Sequence, residues 1–226
     1  MNDDTGTPPP IRAGIRTPRS AAMAGIVFAG LLGVSMVLIQ SAVPTSRLYD
    51  PSWIVEEETS ISVAIALVPF AAIAFLWFMG VLRTQFGDME DRFFATVFLG
   101  SGLLFLASLF MWIGLFSATV VTAGTIPSWA EGDAFPFAAT LIKVMGSSIM
   151  LRMAGVFVFS TSTIWLRAKL MPRWLVFLSM AFALLMLVGG GTVRPLRMIF
   201  PAWVLLVSIL ILVAERRRSG GGEDGP

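Results

Sequence analysis

Six long apolar stretches run through this chain, and only one charged side chain, Arg152, sits well inside any of them. About 20 apolar helical residues cross a hydrocarbon core about 30 Å thick, and each stretch meets that length or comes close. They run from Ala21 to Val43, Ser60 to Leu82, Phe93 to Ala123, Lys143 to Leu166, Trp174 to Val188 and Met198 to Ala214. The pattern predicts an all-α, polytopic membrane protein with six transmembrane helices spanning residues 21 to 214. The third stretch exceeds what a crossing requires, which predicts tilt or projection beyond the lipid. The fifth is short, and Gly189, Gly190 and Gly191 supply a last turn. A re-entrant hairpin made of the last two stretches is the competing arrangement, but Thr192, Val193, Arg194 and Pro195 read as an exposed turn between two helices.

Hydrophobic side chains make up 56% and charged ones 13% of the 226 residues, about half the charge of an ordinary soluble domain. There is no cysteine and no histidine, which removes disulfides, thiolate chemistry, imidazole acid–base work, bis-histidine haem and the commonest transition-metal ligands. No cofactor is expected. A net charge of +2 without a basic cluster argues against nucleic acid as a partner. Arginine greatly outnumbers lysine, and alanine and glycine are plentiful, as in proteins of GC-rich bacteria.

Cytoplasmic loops keep the excess of Lys and Arg, which orients the bundle. One side receives Arg12, Arg16, Arg19, Arg83, Arg92, Arg167, Lys169, Arg173, Arg216, Arg217 and Arg218; the other receives Arg47, Arg194 and Arg197. Both termini are therefore expected in the cytoplasm, and the bacterial plasma membrane is the expected location. Tryptophans favour the interface. Trp165 and Trp174 flank an inner loop and Trp53 and Trp129 lie in outer loops, whereas Trp112, mid-span, is expected to pack. Residues 1–20, with Pro8, Pro9 and Pro10, and residues 215–226, rich in glycine, are expected to be disordered cytoplasmic tails. The first apolar run is too long for a signal peptide core, so it is read as a retained anchor.

Small residues allow helices to approach closely in lipid. Ala21, Gly25, Ala29 and Gly33 share one face of the first span, and Gly100, Ala107 and Gly114 form a seam at spacing seven in the third. Each is read as a contact within the chain, with a homo-oligomer interface as the sharper alternative. Pro69 is expected to kink the second span and leave a carbonyl to be satisfied by a neighbour.

Arg152 carries the candidate chemistry. An arginine in hydrocarbon costs on the order of 2.5 to 3.5 kcal/mol on insertion scales, so it needs water, a partner or a function. Its side chain leans toward the helix N-terminus, which the topology places outward, toward outer headgroups or the acidic loop residues Glu131 and Asp133. Helical spacing puts Ser148, Gly155, Phe159 and Ser162 on roughly the same face, and Ser160 to Thr163 add four hydroxyls. Arg152, Ser148 and Ser162 are thus the candidate contacts for an anion or lipid headgroup. Lys143 is expected to be an interfacial anchor. Asp88, Glu90 and Asp91 could hold Mg2+, although acidic residues also suit a helix start, and the Glu56, Glu57, Glu58 cluster reads as a solvated approach to the second span. No span contains Asp or Glu, which disfavours proton-coupled carriers and pumps.

The stretch from Gly87 to Phe105, GDMEDRFFATVFLGSGLLF, preceded by PFAAIAFLWF from Pro69 to Phe78, resembles a family of uncharacterised multi-pass membrane proteins of actinobacterial type. The resemblance extends over residues 60–214. It implies a bacterial inner-membrane location and no activity, cofactor or site residue. The expected function is a non-enzymatic scaffold or accessory subunit, with the lipid bilayer and a membrane-protein partner or a second copy as its contacts. The alternatives are transport or lipid handling through Arg152, and a metal-dependent enzyme using Asp88, Glu90 and Asp91.

Overall fold

The computed structural model describes residues 17–43, 45–86, 92–189 and 194–220, and they are helical with short connections. The helices are α1 (Thr17–Ala42), α2 (Trp53–Glu56), α3 (Glu58–Phe86), α4 (Arg92–Thr125), α5 (Pro127–Ala130), α6 (Ala134–Val144), α7 (Met150–Ala168), α8 (Arg173–Gly189) and α9 (Ile199–Gly220). Five helical segments are long and apolar enough to cross a membrane: Ser20–Ala42, Glu58–Thr84, Phe93–Thr125, Ala134–Ala168 and Leu196–Ala214. The fifth expected span, α8, is apolar but has only 17 residues.

Several boundaries differ from the sequence expectation. Helix α1 begins at Thr17, inside the expected tail, and α9 continues to Gly220. The fourth span begins at Ala134, so Lys143 lies in the last turn of α6 instead of at a helix start. A π turn, Met145–Ile149, joins α6 to α7 without breaking the rod.

Contacts between neighbours give the helix directions. Ser35 meets Ala64 while Gly25 approaches Phe78, so α1 and α3 are antiparallel. Phe86 meets Phe98 while Phe75 meets Phe105, so α3 and α4 are antiparallel. Arg167 lies over Phe94 while Gly146 abuts Trp112, which reverses α7 relative to α4. The short turn after Ala168 brings α8 back along α7, and α9 runs antiparallel to α1, with Gly25 opposite Ser208 and Phe28 near Phe200.

The centre is an aromatic hub. Phe28, Phe75, Phe105, Phe157 and Phe200 come from α1, α3, α4, α7 and α9, and all are buried. Phe75 touches the other four, with ring centroids 4.9 Å from Phe28, 5.1 Å from Phe105, 5.2 Å from Phe157 and 5.7 Å from Phe200. Most of these pairs are edge-to-face, which sets the positive ring edge against the negative face. Helix α8 contributes no ring to this hub.

The two small-residue seams differ. Ala21, Gly25 and Ala29 are buried, and a Cβ at Gly25 would lie 2.0 Å from the Ser208 hydroxyl and 2.8 Å from Phe78. From Ala21 to Ala29 that seam is a contact within the chain, whereas nothing lies within 4 Å of a Cβ built at Gly33. Around Gly100 and Gly114 nothing lies within 4 Å of a built Cβ, and Ala107 and Gly114 are exposed, so the α4 seam faces outward. Pro69 lies inside α3, which continues through it. The Ser35 hydroxyl donates to Ala64 O at 2.8 Å, next to the Ile65 carbonyl that Pro69 deprives of a donor.

Two tryptophans depart from the interfacial expectation. Trp165 is buried against Trp203, and Trp53 is buried between Phe116 and Phe135. Both rings pack against aromatic neighbours, and the Trp53 indole nitrogen is buried without a partner among the described residues, whereas Trp174 is exposed at the start of α8 and Trp112 packs as expected.

Candidate functional site

Arg152 stands in the first turn of α7 with its side chain exposed. Its Nε donates to the carbonyl oxygen of Leu187 at 3.4 Å, across the gap to α8. Leu187 belongs to the last turn of α8 as described, whose carbonyls carry the negative end of the helix dipole. The arginine is thus a C-terminal cap supplied by the neighbouring helix. A cation and a helix end that would each be costly in lipid offset one another.

Gly155 makes this approach possible. One turn beyond Arg152, a Cβ there would lie 3.1 Å from Ala183 O, 3.1 Å from Leu187 Cγ and 3.2 Å from Met186 Cβ. Any larger residue would push α8 away and stretch the Arg152 bond. Farther along α8, Trp203 of α9 donates its indole N–H to Ser179 at 2.8 Å, and both residues are buried. Edge helix α8 is therefore fixed by polar contacts at two levels.

Ser162 does not join Arg152 in one site, whereas Ser148 stands about one turn before it. Ser148 falls in the π turn and is half-buried, while Ser162 is buried and donates to Val158 O at 2.7 Å. Fourteen positions separate them, about 21 Å at 1.5 Å per residue, more than one headgroup covers. Ser160, Thr161 and Thr163 likewise return their protons to carbonyls of their own helix. Gly155 does share a face with Arg152, as the spacing predicts; Phe159 is exposed.

Beyond α7 the expected sites separate further. Lys143 is exposed, and Asp88, Glu90 and Asp91 lie outside the described residues. Among the described residues no group of three carboxylates is placed to hold a metal ion. Of the Glu56, Glu57, Glu58 cluster, Glu56 pairs with Arg47 at 2.9 Å and Glu57 accepts from Ser60 at 3.2 Å. Arg47 also reaches Asp50 at 3.4 Å and the Ser52 hydroxyl, which ties the α1–α3 connection into one knot. The Ser52 backbone N–H, 3.0 Å from Asp50 Oδ1, holds the Asp50 carboxyl below its usual range, and the Arg47 hydrogen bond does the same for Glu56. Sequence reading missed this knot because its members are three to nine residues apart without regular periodicity. It missed Leu187 because a main-chain acceptor leaves no mark in side-chain spacing.

No family model, curated protein or solved structure matches the chain, so the resemblance over residues 60–214 gains no support from comparison. The class defined by fold and site is a helical membrane protein. Its several apolar helices are compatible with a multi-pass arrangement.

Proposed function

We propose that the protein is a non-enzymatic scaffold or accessory subunit of the bacterial plasma membrane. In this reading α1, α3, α4, the α6–α7 rod, α8 and α9 make six crossings, with the N-terminal end of α1 and the C-terminal end of α9 in the cytoplasm. Alternating helix directions support six, because antiparallel α1 and α9 require an even number of crossings. The distribution of Lys and Arg supports the orientation.

The observation that carries the functional reading is the content of the interior. Five phenylalanines fill its centre, and the polar groups buried among the described residues are serine and threonine hydroxyls, tryptophan indoles and the amide nitrogen of Gln40, with no charged side chain among them. These hydroxyls bond to main-chain carbonyls or, at Ser179, to Trp203. A path for protons or ions relies on titratable or charged groups in such an interior, and a rigid packing element does not. The length of the rods adds support. At 34 residues for α4 and 35 for Ala134–Ala168, each is about 50 Å long, some 20 Å beyond the hydrocarbon core. Paired helices projecting on one side suit a platform for another protein.

The test is photo-crosslinking in cells from positions on α4 and α6, followed by purification in mild detergent. A discrete protein partner, captured from these positions and co-migrating with the chain, is the expected result. Migration of the protein alone, with no crosslinked protein, defeats the proposal. Solute flux in proteoliposomes of the purified chain would defeat it as well.

A further inference from the structure

Arg152 uses one donor on Leu187, while a guanidinium has five N–H groups in a planar fork. Neither Glu131 nor Asp133 nor any other described carboxylate forms an ion pair with it, so among the described residues no anion meets the ends of the fork. The basic residues Arg167, Lys169 and Arg173 mark one membrane face at the α7–α8 turn. From Ala168, Arg152 lies about 24 Å along α7 at 1.5 Å per residue, against a hydrocarbon thickness of about 30 Å. Its side chain leans toward the N-terminal end of α7 and spans the remaining distance of about 6 Å to the far headgroups.

Its surroundings are those of a lipid. Ile149 precedes Arg152 by about one turn, and Val188 follows its main-chain partner; both are exposed, as are Leu184 and Leu185 on α8. An acyl chain can lie along these apolar side chains while its headgroup meets the guanidinium. The α8 carbonyl end fixes the fork through Nε, which leaves the terminal nitrogens free for a bidentate contact with two phosphate oxygens.

We propose that Arg152, held by Leu187 O, binds the phosphate of a phospholipid in the leaflet remote from the Arg167 end of α7. The inference needs membrane embedding of α7 and is independent of the scaffold reading. A dissolved phosphate offers the same oxyanion, so the test separates the two sources. Full-length protein is placed in nanodiscs containing phosphatidylglycerol and diacylglycerol with identical acyl chains, and retained lipid is weighed by native mass spectrometry. Wild-type protein should prefer phosphatidylglycerol, and Arg152→Gln should reduce that preference roughly tenfold or more, the scale of a charge-assisted hydrogen bond. Arg152→Lys should keep part of it, because the charge remains and the fork is lost. Equal preference in wild type and Arg152→Gln overturns the proposal. So does displacement of the lipid by an equal concentration of inorganic phosphate. Should Arg152→Gln fail to fold, wild-type protein is crosslinked with a phosphatidylglycerol carrying a photoreactive headgroup. Labelling concentrated at residues 149–152 and 184–188 sustains the assignment, and labelling elsewhere overturns it.

Discussion

At the centre of the bundle, five rings from five helices enclose one another, and Phe75 and Phe200 each touch the other four. At the α7–α8 edge, glycine lets two backbones meet, and polar contacts tie α8 to its neighbours: Arg152 of α7 to Leu187 O, and Trp203 of α9 to Ser179. The difference reflects what each region has to exclude. Lipid tails compete on equal terms with an aliphatic contact, so a helix at the rim needs close approach and hydrogen bonds to stay docked. A central helix is held by shape, since leaving the hub opens a void that acyl chains cannot fill from the side.

The largest expected effect comes from breaking the hub. Phe75→Ala should destabilise the fold by about 3 kcal/mol, the low end for a buried phenylalanine, because separated helices would still keep the ring in lipid and mainly the cavity term remains. Unfolding in mixed micelles, followed by near-ultraviolet circular dichroism, measures it; a loss below about 1 kcal/mol would mean that the rings are not the common support of five helices. The edge should respond less. Ser179→Ala leaves the buried Trp203 N–H without an acceptor and should cost about 1–2 kcal/mol in the same measurement, with α8 exchanging its amide hydrogens faster than α4. Uniform exchange across all helices would erase the distinction between edge and centre.

The smallest effect belongs to the solvent-facing knot at Arg47. Asp50 and Glu56 have folded pKa values below their ordinary 3.8 and 4.5, so their contribution is complete above those values. It is lost as pH falls through the depressed folded values. Proteolysis of the 45–57 connection should therefore accelerate in acid below about pH 4 while the hub stays intact. A connection equally protected at pH 3 and pH 7 would remove the knot from the account.

Much of this architecture was legible because hydropathy and length speak directly for helices in lipid. Five spans follow from apolar runs alone, and the Gly25 seam follows from spacing. The hub did not, since helices apolar all round give no period that separates Phe28 or Phe105, which face inward, from Phe110, which is exposed. Trp53 and Trp165 misled for a related reason: composition places an indole near an interface, while only neighbours such as Phe116 or Trp203 decide which way it turns. Of the candidate site, Arg152 and Gly155 were readable from one helix. The α8 carbonyl was not, because it depends on where a second helix stops.

Phe200 touches Phe28, Phe75, Phe105 and Phe157, yet it belongs to α9, which follows the other membrane helices in the chain. Until α9 enters the bilayer, the four earlier rings surround an unfilled place. The core therefore cannot close helix by helix in chain order; the hub is complete only when Phe200 joins the four rings that precede it in the sequence.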